Sequence, residues 1–210
     1  MTYPSTPWIL QGYAYQTLQL VDTKSIRTLV PTEMEIYNIL PGKTLGGVYL
    51  ACYGSGSVLE YSELFVAAAL VRYAGRLGLF CSHVYVDNAD AAAAGREIWG
   101  LPTQMADFSW SKTKHVCCRV RQQQRLLCTL EVDWQLLLWQ QSLALPSFSA
   151  NESNLFLFEG EAECRLGLVS ARLAVPAQSP LTNLGNSQPW LTICAQSLHL
   201  VAYEPKIFVL

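Results

Sequence analysis

Apolar positions along this chain recur chiefly at every second residue, with short unbroken apolar runs between turn signals. That period predicts strands. The pattern places them at 13–21, 34–40, 44–53, 60–73, 79–86, 103–110, 115–121, 126–138, 155–173 and 191–203, the ninth being one bent strand or two. Pro41-Gly42-Lys43 and Gly75-Arg76-Leu77-Gly78 read as turns, and Gly54-Ser55-Gly56-Ser57 as a flexible loop. The stretches 141–154 and 176–189, rich in Ser, Pro, Asn and Gln, read as loops. Gly46 and Gly47 inside their strand mark a bulge or a close backbone approach. Asp22 suits the cap of a short helix running to Val30, stopped by Pro31.

The period changes to helical only once at length. Asp87 or Asn88 can cap a helix filling 89–99, and Gly100 with Pro102 stops it. Alanines 91–94 give it high propensity and a thin face against which a sheet can come close. The expected fold is mainly β, of the α+β kind. It has antiparallel sheets with short hairpins, one main helix at about 88–99, and a single domain over 1–210. Strands apolar on both faces suggest a sandwich or a closed barrel with an interior.

Composition sharpens this. Of 210 residues, 51% are hydrophobic and only 14% charged, against about 25% in average chains. Disorder is excluded. A net charge of −2 offers no basic face for nucleic acid. The longest candidate apolar run, 64–71, is a strand's length, so no transmembrane segment is expected. The apolar excess must pack inside, or around something inside. The first residues lack the charged and apolar regions of a signal peptide and the Arg-rich character of a transit peptide. The seven cysteines are scattered and form no C-x-x-C pair, so reduced core cysteines in a cytoplasmic protein are expected, with no disulfide framework and no zinc site.

Glu63 is the most informative acid. By alternation it shares a face with Tyr61, Phe65, Ala67 and Ala69, and small residues there leave room as a cavity wall would. A carboxylate heading an apolar row must be paired or stay protonated. Cys81, His83 and Tyr85 alternate on one strand face, but strand neighbours two apart lie about 7 Å from each other, too far for a nucleophile–base pair. Glu159, Glu161 and Glu163 form another alternating row, read as a solvated face. Gly54-x-Gly56 lacks the strand–turn–helix context of a nucleotide fingerprint. His115 and His199 have no ligand-type partner nearby in sequence. No metal and no cofactor is expected.

Three pieces carry a resemblance: Tyr61-Ser62-Glu63-Leu64, then Val84-Tyr85-Val86-Asp87-Asn88, then Ala94-Gly95-Arg96-Glu97-Ile98-Trp99-Gly100-Leu101-Pro102. Together they resemble the acetoacetate decarboxylase-like superfamily, whose pattern is a strand glutamate followed by a Gly-Arg-Glu-x-x-Gly-x-Pro-Lys signature. A closer likeness, over most of the N-terminal half, is to a plant branch of that superfamily associated with xanthophyll formation. It rests on Pro7-Trp8, Gly12, Leu29-Val30-Pro31, Thr44-Leu45-Gly46-Gly47, Leu50-Ala51-x-Tyr53, Ser62-Glu63-Leu64 and Gly100-Leu101-Pro102.

The resemblance implies a barrel-like, mostly antiparallel sheet around a buried pocket, a pocket glutamate at Glu63, and a tendency to form homo-oligomers. It also implies a lysine pair after the signature proline, one lysine forming a Schiff base while its charged neighbour lowers its pKa. Thr103 and Gln104 stand there instead. Lys24, Lys43, Lys112, Lys114 and Lys206 offer no obvious substitute. Decarboxylation through an imine is therefore not expected. Glu63 is the candidate general acid or base, and Tyr61, Arg96, Thr103 and Gln104 are the candidate substrate contacts. Two functions fit: a lyase- or isomerase-type activity on an apolar small molecule such as an isoprenoid, or a non-enzymatic accessory role holding a pigment or a pigment-forming enzyme.

Overall fold

The computed structural model describes residues 3–111, 116–184 and 188–209. Among the described residues twelve strands run in the order β1 (Trp8–Asp22), β2 (Glu35–Ile36), β3 (Lys43–Tyr53), β4 (Tyr61–Tyr73), β5 (Arg76–Val86), β6 (Thr103–Met105), β7 (Asp107–Ser111), β8 (Val116–Gln122), β9 (Arg125–Ala150), β10 (Asn154–Ala174), β11 (Leu191–Ala202) and β12 (Lys206–Val209). Helix α1 (Thr23–Ile26) follows β1, and α2 (Ala89–Glu97) follows β5. One short 3-10 turn spans Pro180–Leu184.

Neighbours in the sheet follow the path β12-β10-β11-β1-β3-β4-β5-β9-β8-β7. β9 also pairs with β10, so the strands from β10 round to β9 form a closed circuit of partners. The pairings are antiparallel except where β5 meets β6 and where Leu79 and Phe80 meet Ser147 and Phe148 of β9. The first and eleventh strands are neighbours, with Trp8 opposite Ala202 and Leu18 opposite Leu191.

Burial on both faces explains the unbroken apolar runs. One cluster gathers Leu50, Leu64, Val66, Phe80, Tyr85, Leu130 and Phe148. A second, on the opposite face of the same strands, gathers Trp8, Leu10, Tyr53, Tyr61, Val84, Val86, Ala91 and Trp99. β4 serves both: Leu64, Val66 and Ala68 face the first, Tyr61 and Phe65 the second.

The β4–β5 register shifts between Val66 and Ala67 and again between Ala67 and Ala69. Ala69 therefore joins the first cluster and leaves the row headed by Glu63. The same irregularity puts Cys81 in the second cluster while Tyr85 lies in the first, with the His83 ring stacked parallel to Tyr85. The expected common face of Cys81, His83 and Tyr85 is thus split by a bulge, which inverts side-chain parity.

Four further expectations change. The strand at 34–40 shrinks to Glu35–Ile36, because the Ile39 and Leu40 amides turn back onto the Lys43 carbonyl at its far end and the Arg27 guanidinium holds the Val30, Pro31 and Met34 carbonyls in a turn at its near end. The stretch 141–150 is strand, not loop, because β10 pairs with it from Cys164↔Gln141 to Leu155↔Ala150 and satisfies its backbone despite its three serines and Pro146. The strand expected at 103–110 is broken at Ala106 into β6 and β7. α1 ends at Ile26, with Asp22 as its cap. His115, Lys112 and Lys114 lie outside the described residues.

Glycine matters at two close approaches. A Cβ on Gly47 would sit 1.9 Å from the Thr17 carbonyl oxygen, so β1 and β3 come as near as they do only without one. Gly100 takes φ +59°, ending α2 in the left-handed region.

Candidate active site

The second cluster surrounds a cavity of about 230 Å³. Its walls come from residues of β1, β3, β4, β5, β6, β9, β10 and β11, and α2 lays Ala91 and Gly95 against it. Most of the lining is apolar. The polar exceptions are Gln16, Tyr49, Tyr53, Tyr61, Glu63, Thr103, Ser147 and Glu159, and no lysine, arginine or histidine appears among the described lining residues.

Glu63, near the start of β4, sits between Ala51 of β3 and Val86 of β5. Its neighbourhood is pinned one residue earlier, where the Ser62 amide donates to Asp87 Oδ1 at 2.6 Å and Trp110 Nε1 donates to Ser62 Oγ at 3.2 Å. The surface Glu63 keeps is turned to the cavity it lines. Desolvation pushes its carboxyl up from 4.5 to about 7, while a hydrogen bond from Tyr53 pulls the other way. That bond runs from the Tyr53 hydroxyl to Glu63 Oε2 at 3.1 Å, and the Tyr49 and Tyr53 hydroxyls lie 3.1 Å apart. Burial raises all three phenols, Tyr49, Tyr53 and Tyr61, above their ordinary range, so they stay neutral donors. A carboxyl titrating near 7 can both give and take a proton at neutral pH.

The segment after α2 builds the wall beside this group. Asn88 Oδ1 accepts from the amides of Asp90 and Ala91 and starts the helix. Gly95 has no side chain because a Cβ there would lie 2.5 Å from Thr103 Oγ1. A Cβ on Gly100 would lie 2.1 Å from the Phe156 ring. Trp99 closes one end: its ring meets Trp8 edge-on at 5.1 Å, and its Nε1 donates to the Tyr203 carbonyl at 2.9 Å.

The expected contacts divide. Tyr61 and Thr103 are buried and line the cavity with Glu63. Arg96 does not: it is exposed, and its Nη1 donates to the Thr103 carbonyl at 2.9 Å, holding the strand that carries Thr103. Gln104 alternates outward on β6 and accepts from Gln122 Nε2 at 2.6 Å. Ala67 and Ala69 are not in the lining.

Other candidates find structural roles. Cys81 is buried and its thiol is pushed well up by desolvation, as are those of Cys118 and Cys128, which makes them poor nucleophiles. Glu159 pairs with Arg76, and Glu161 accepts from the Tyr203 hydroxyl at 3.0 Å. Among the described residues, no three His, Cys, Asp or Glu gather as a metal site. The residues missed in the sequence are Tyr49 and Tyr53. Their signal was the alternation Tyr49-Ala51-Tyr53 on β3, beside Glu63.

Fold and cavity together define a curled β-sheet protein built round an apolar chamber with a carboxyl turned inward. The model of the acetoacetate decarboxylase family, "Acetoacetate decarboxylase (ADC)", matches residues 14–165, and the chain belongs to that family. It is similar to Protein NEOXANTHIN-DEFICIENT 1 of Solanum lycopersicum, 36% identical over 107 residues, 51% of this chain and 36% of that protein. It is also similar to the protein of the same name from Oryza sativa subsp. japonica, 35% identical over 103 residues, 49% of this chain and 34% of that one. The matched stretches span about a third of those relatives. Among solved structures, the acetoacetate decarboxylase of Legionella pneumophila subsp. pneumophila str. Philadelphia 1 superposes with a TM-score of 0.76, covering 99% of this chain and 89% of that one at 16% identity, a likeness of fold alone.

Proposed function

We propose that this chain is a family member without imine chemistry, and that it takes an apolar small molecule into the cavity and serves it with Glu63 as general acid and base. The observation that carries the reading is a carboxyl lining an apolar chamber, hydrogen-bonded by Tyr53 with Tyr49 behind it, and burial there pushes it up to about 7. Thr103 supports it. It lines the chamber at the first position after the signature proline, where the family resemblance implies an amine.

The names of the plant relatives point to neoxanthin and favour an isoprenoid ligand. On such a ligand, Glu63 lends its proton to an epoxide or hydroxyl oxygen and recovers one from the product. A proton lent to an epoxide as its C–O bond opens, and one taken back from carbon, is an isomerisation with nothing gained or lost. The same chamber could hold its guest without turnover, which is the accessory role.

The test is the purified chain, analysed by native mass spectrometry and absorption for a co-purifying apolar molecule. Turnover of that molecule, abolished by Glu63→Gln with the fold intact, is the expected result. Turnover unchanged in Glu63→Gln removes the catalytic role, and carriage without turnover selects the accessory one. Borohydride reduction with acetoacetate is expected to leave every lysine, Lys112 and Lys114 included, without added mass. An adduct overturns the reading.

A further inference from the structure

The cavity floor does not stop at the cavity. On β10, Ala162, Cys164 and Leu166 line it, and Leu168 follows on the same face. Leu168 stands opposite Ile193 of β11 and Leu136 of β9, and Ile193 stands opposite Gln16 of β1. Ile193 and Gln16 are themselves lining residues. One step further out, Ser170 pairs with Trp134.

Exposure changes steadily along this face. Trp8, Ala91 and Trp99 at the far end are buried, and Gln16, Leu166 and Ile193 are half-buried. Leu168, Leu136 and Trp134 are 39%, 54% and 57% exposed. Trp134, level with Ser170, lies roughly 13 Å beyond Leu166 along the strand. The chamber itself, about 230 Å³, is smaller than the roughly 300–1,000 Å³ that encloses a whole drug-sized ligand.

We propose that the chamber takes only the polar end of an elongated apolar molecule, and that the rest of its chain leaves past Gln16 and Ile193 to lie along Leu168, Leu136 and Trp134. This rests on the cavity reading above and adds to it the shape of the ligand. A molecule with one hydroxyl or ether oxygen at its tip and a long hydrocarbon body fits both parts. The tip meets Glu63 and Tyr61, and the body covers apolar surface that a compact ligand would leave wet.

The experiment measures 1-alkanols from hexanol to tetradecanol by displacement of Nile red, in the full chain and in a Leu136→Ser/Leu168→Ser variant. Affinity of the unaltered chain is expected to keep rising through tetradecanol. The variant is expected to lose about tenfold or more for tetradecanol and nothing for hexanol. Trp134→Ser, at an exposed position, is expected to act in the same direction. Hexanol bound but tetradecanol no tighter, or a variant equal to the unaltered chain, overturns the proposal and leaves the cavity reading standing. No binding of any alkanol overturns both. A dimer in sedimentation equilibrium that the variant converts to monomer assigns the face to a second copy and also overturns the proposal.

Discussion

The Tyr53 hydroxyl donates to Glu63 Oε2 at 3.1 Å across neighbouring strands, and among the described residues this bond opposes the burial that lifts that carboxyl to about 7. A donor to a carboxylate stabilises its charged form, so removing the donor favours the neutral one. Tyr53→Phe is expected to move the Glu63 midpoint up from about 7, by about one unit. Infrared difference titration of the protonated carboxyl band reads this directly. A midpoint that stays or falls would show that the hydroxyl does not reach Glu63.

Glu63 also sets a pH dependence of stability. Its ordinary value is 4.5 and its folded value about 7. Below about pH 4.5 the group is protonated in both states and the fold bears no penalty. Between the two values the unfolded chain ionises first, so stability falls as pH rises. Above 7 the folded protein holds a desolvated carboxylate. The loss is expected to be about 3 kcal/mol. Glu63→Gln removes it, so the variant should gain on the unaltered protein at pH 8 and match it at pH 4.5. Urea denaturation at both pH values checks the sign.

Thr103 faces the chamber with no lysine among its described lining residues. Thr103→Lys places an amine in an apolar wall, where desolvation lowers its pKa and frees the nucleophile. Borohydride with acetoacetate is expected to add mass to the peptide containing that residue, and to none in the unaltered chain. Absence of an adduct in a folded variant would mean that the side chain cannot reach into the chamber.

Gly100 combines a left-handed φ of +59° with a ring edge where its Cβ would be. Gly100→Ala is expected to cost about 2–4 kcal/mol, from backbone strain and displacement of Phe156 together. Chemical denaturation measures it, and a cost below about 0.5 kcal/mol, the usual effect at an unremarkable site, contradicts the packing described.

The β-rich class, the helix with its Asn88 cap and Gly100 stop, and the inward Glu63 were all legible in the chain, because each rests on local period or capping chemistry. Arg96 and Gln104 were misplaced because a motif names neighbours in sequence, not faces. Strand alternation turns Gln104 outward, and Arg96 reaches back to a carbonyl. The row through Ala67 and Ala69 failed at a bulge, which has no compositional signature among alanines. The 141–150 stretch was misread because its polar residues stand on a strand whose partner, β10, decides its conformation. Tyr53 was read only as part of the family likeness, because its role depends on β3 lying beside β4.

The pairing of Trp8 with Ala202 gives the cavity a place in time. β1 is synthesised well before β11, with nine strands made between them, so one wall of the chamber must wait for all of these before its neighbour exists. Contacts so distant in sequence close slowly. Until they do, Leu10, Ala14 and the tyrosines of β3 stand beside an open edge. No guest can be enclosed before β11 has been made, and that unfinished state is where this apolar lining is most vulnerable to aggregation and most in need of a chaperone.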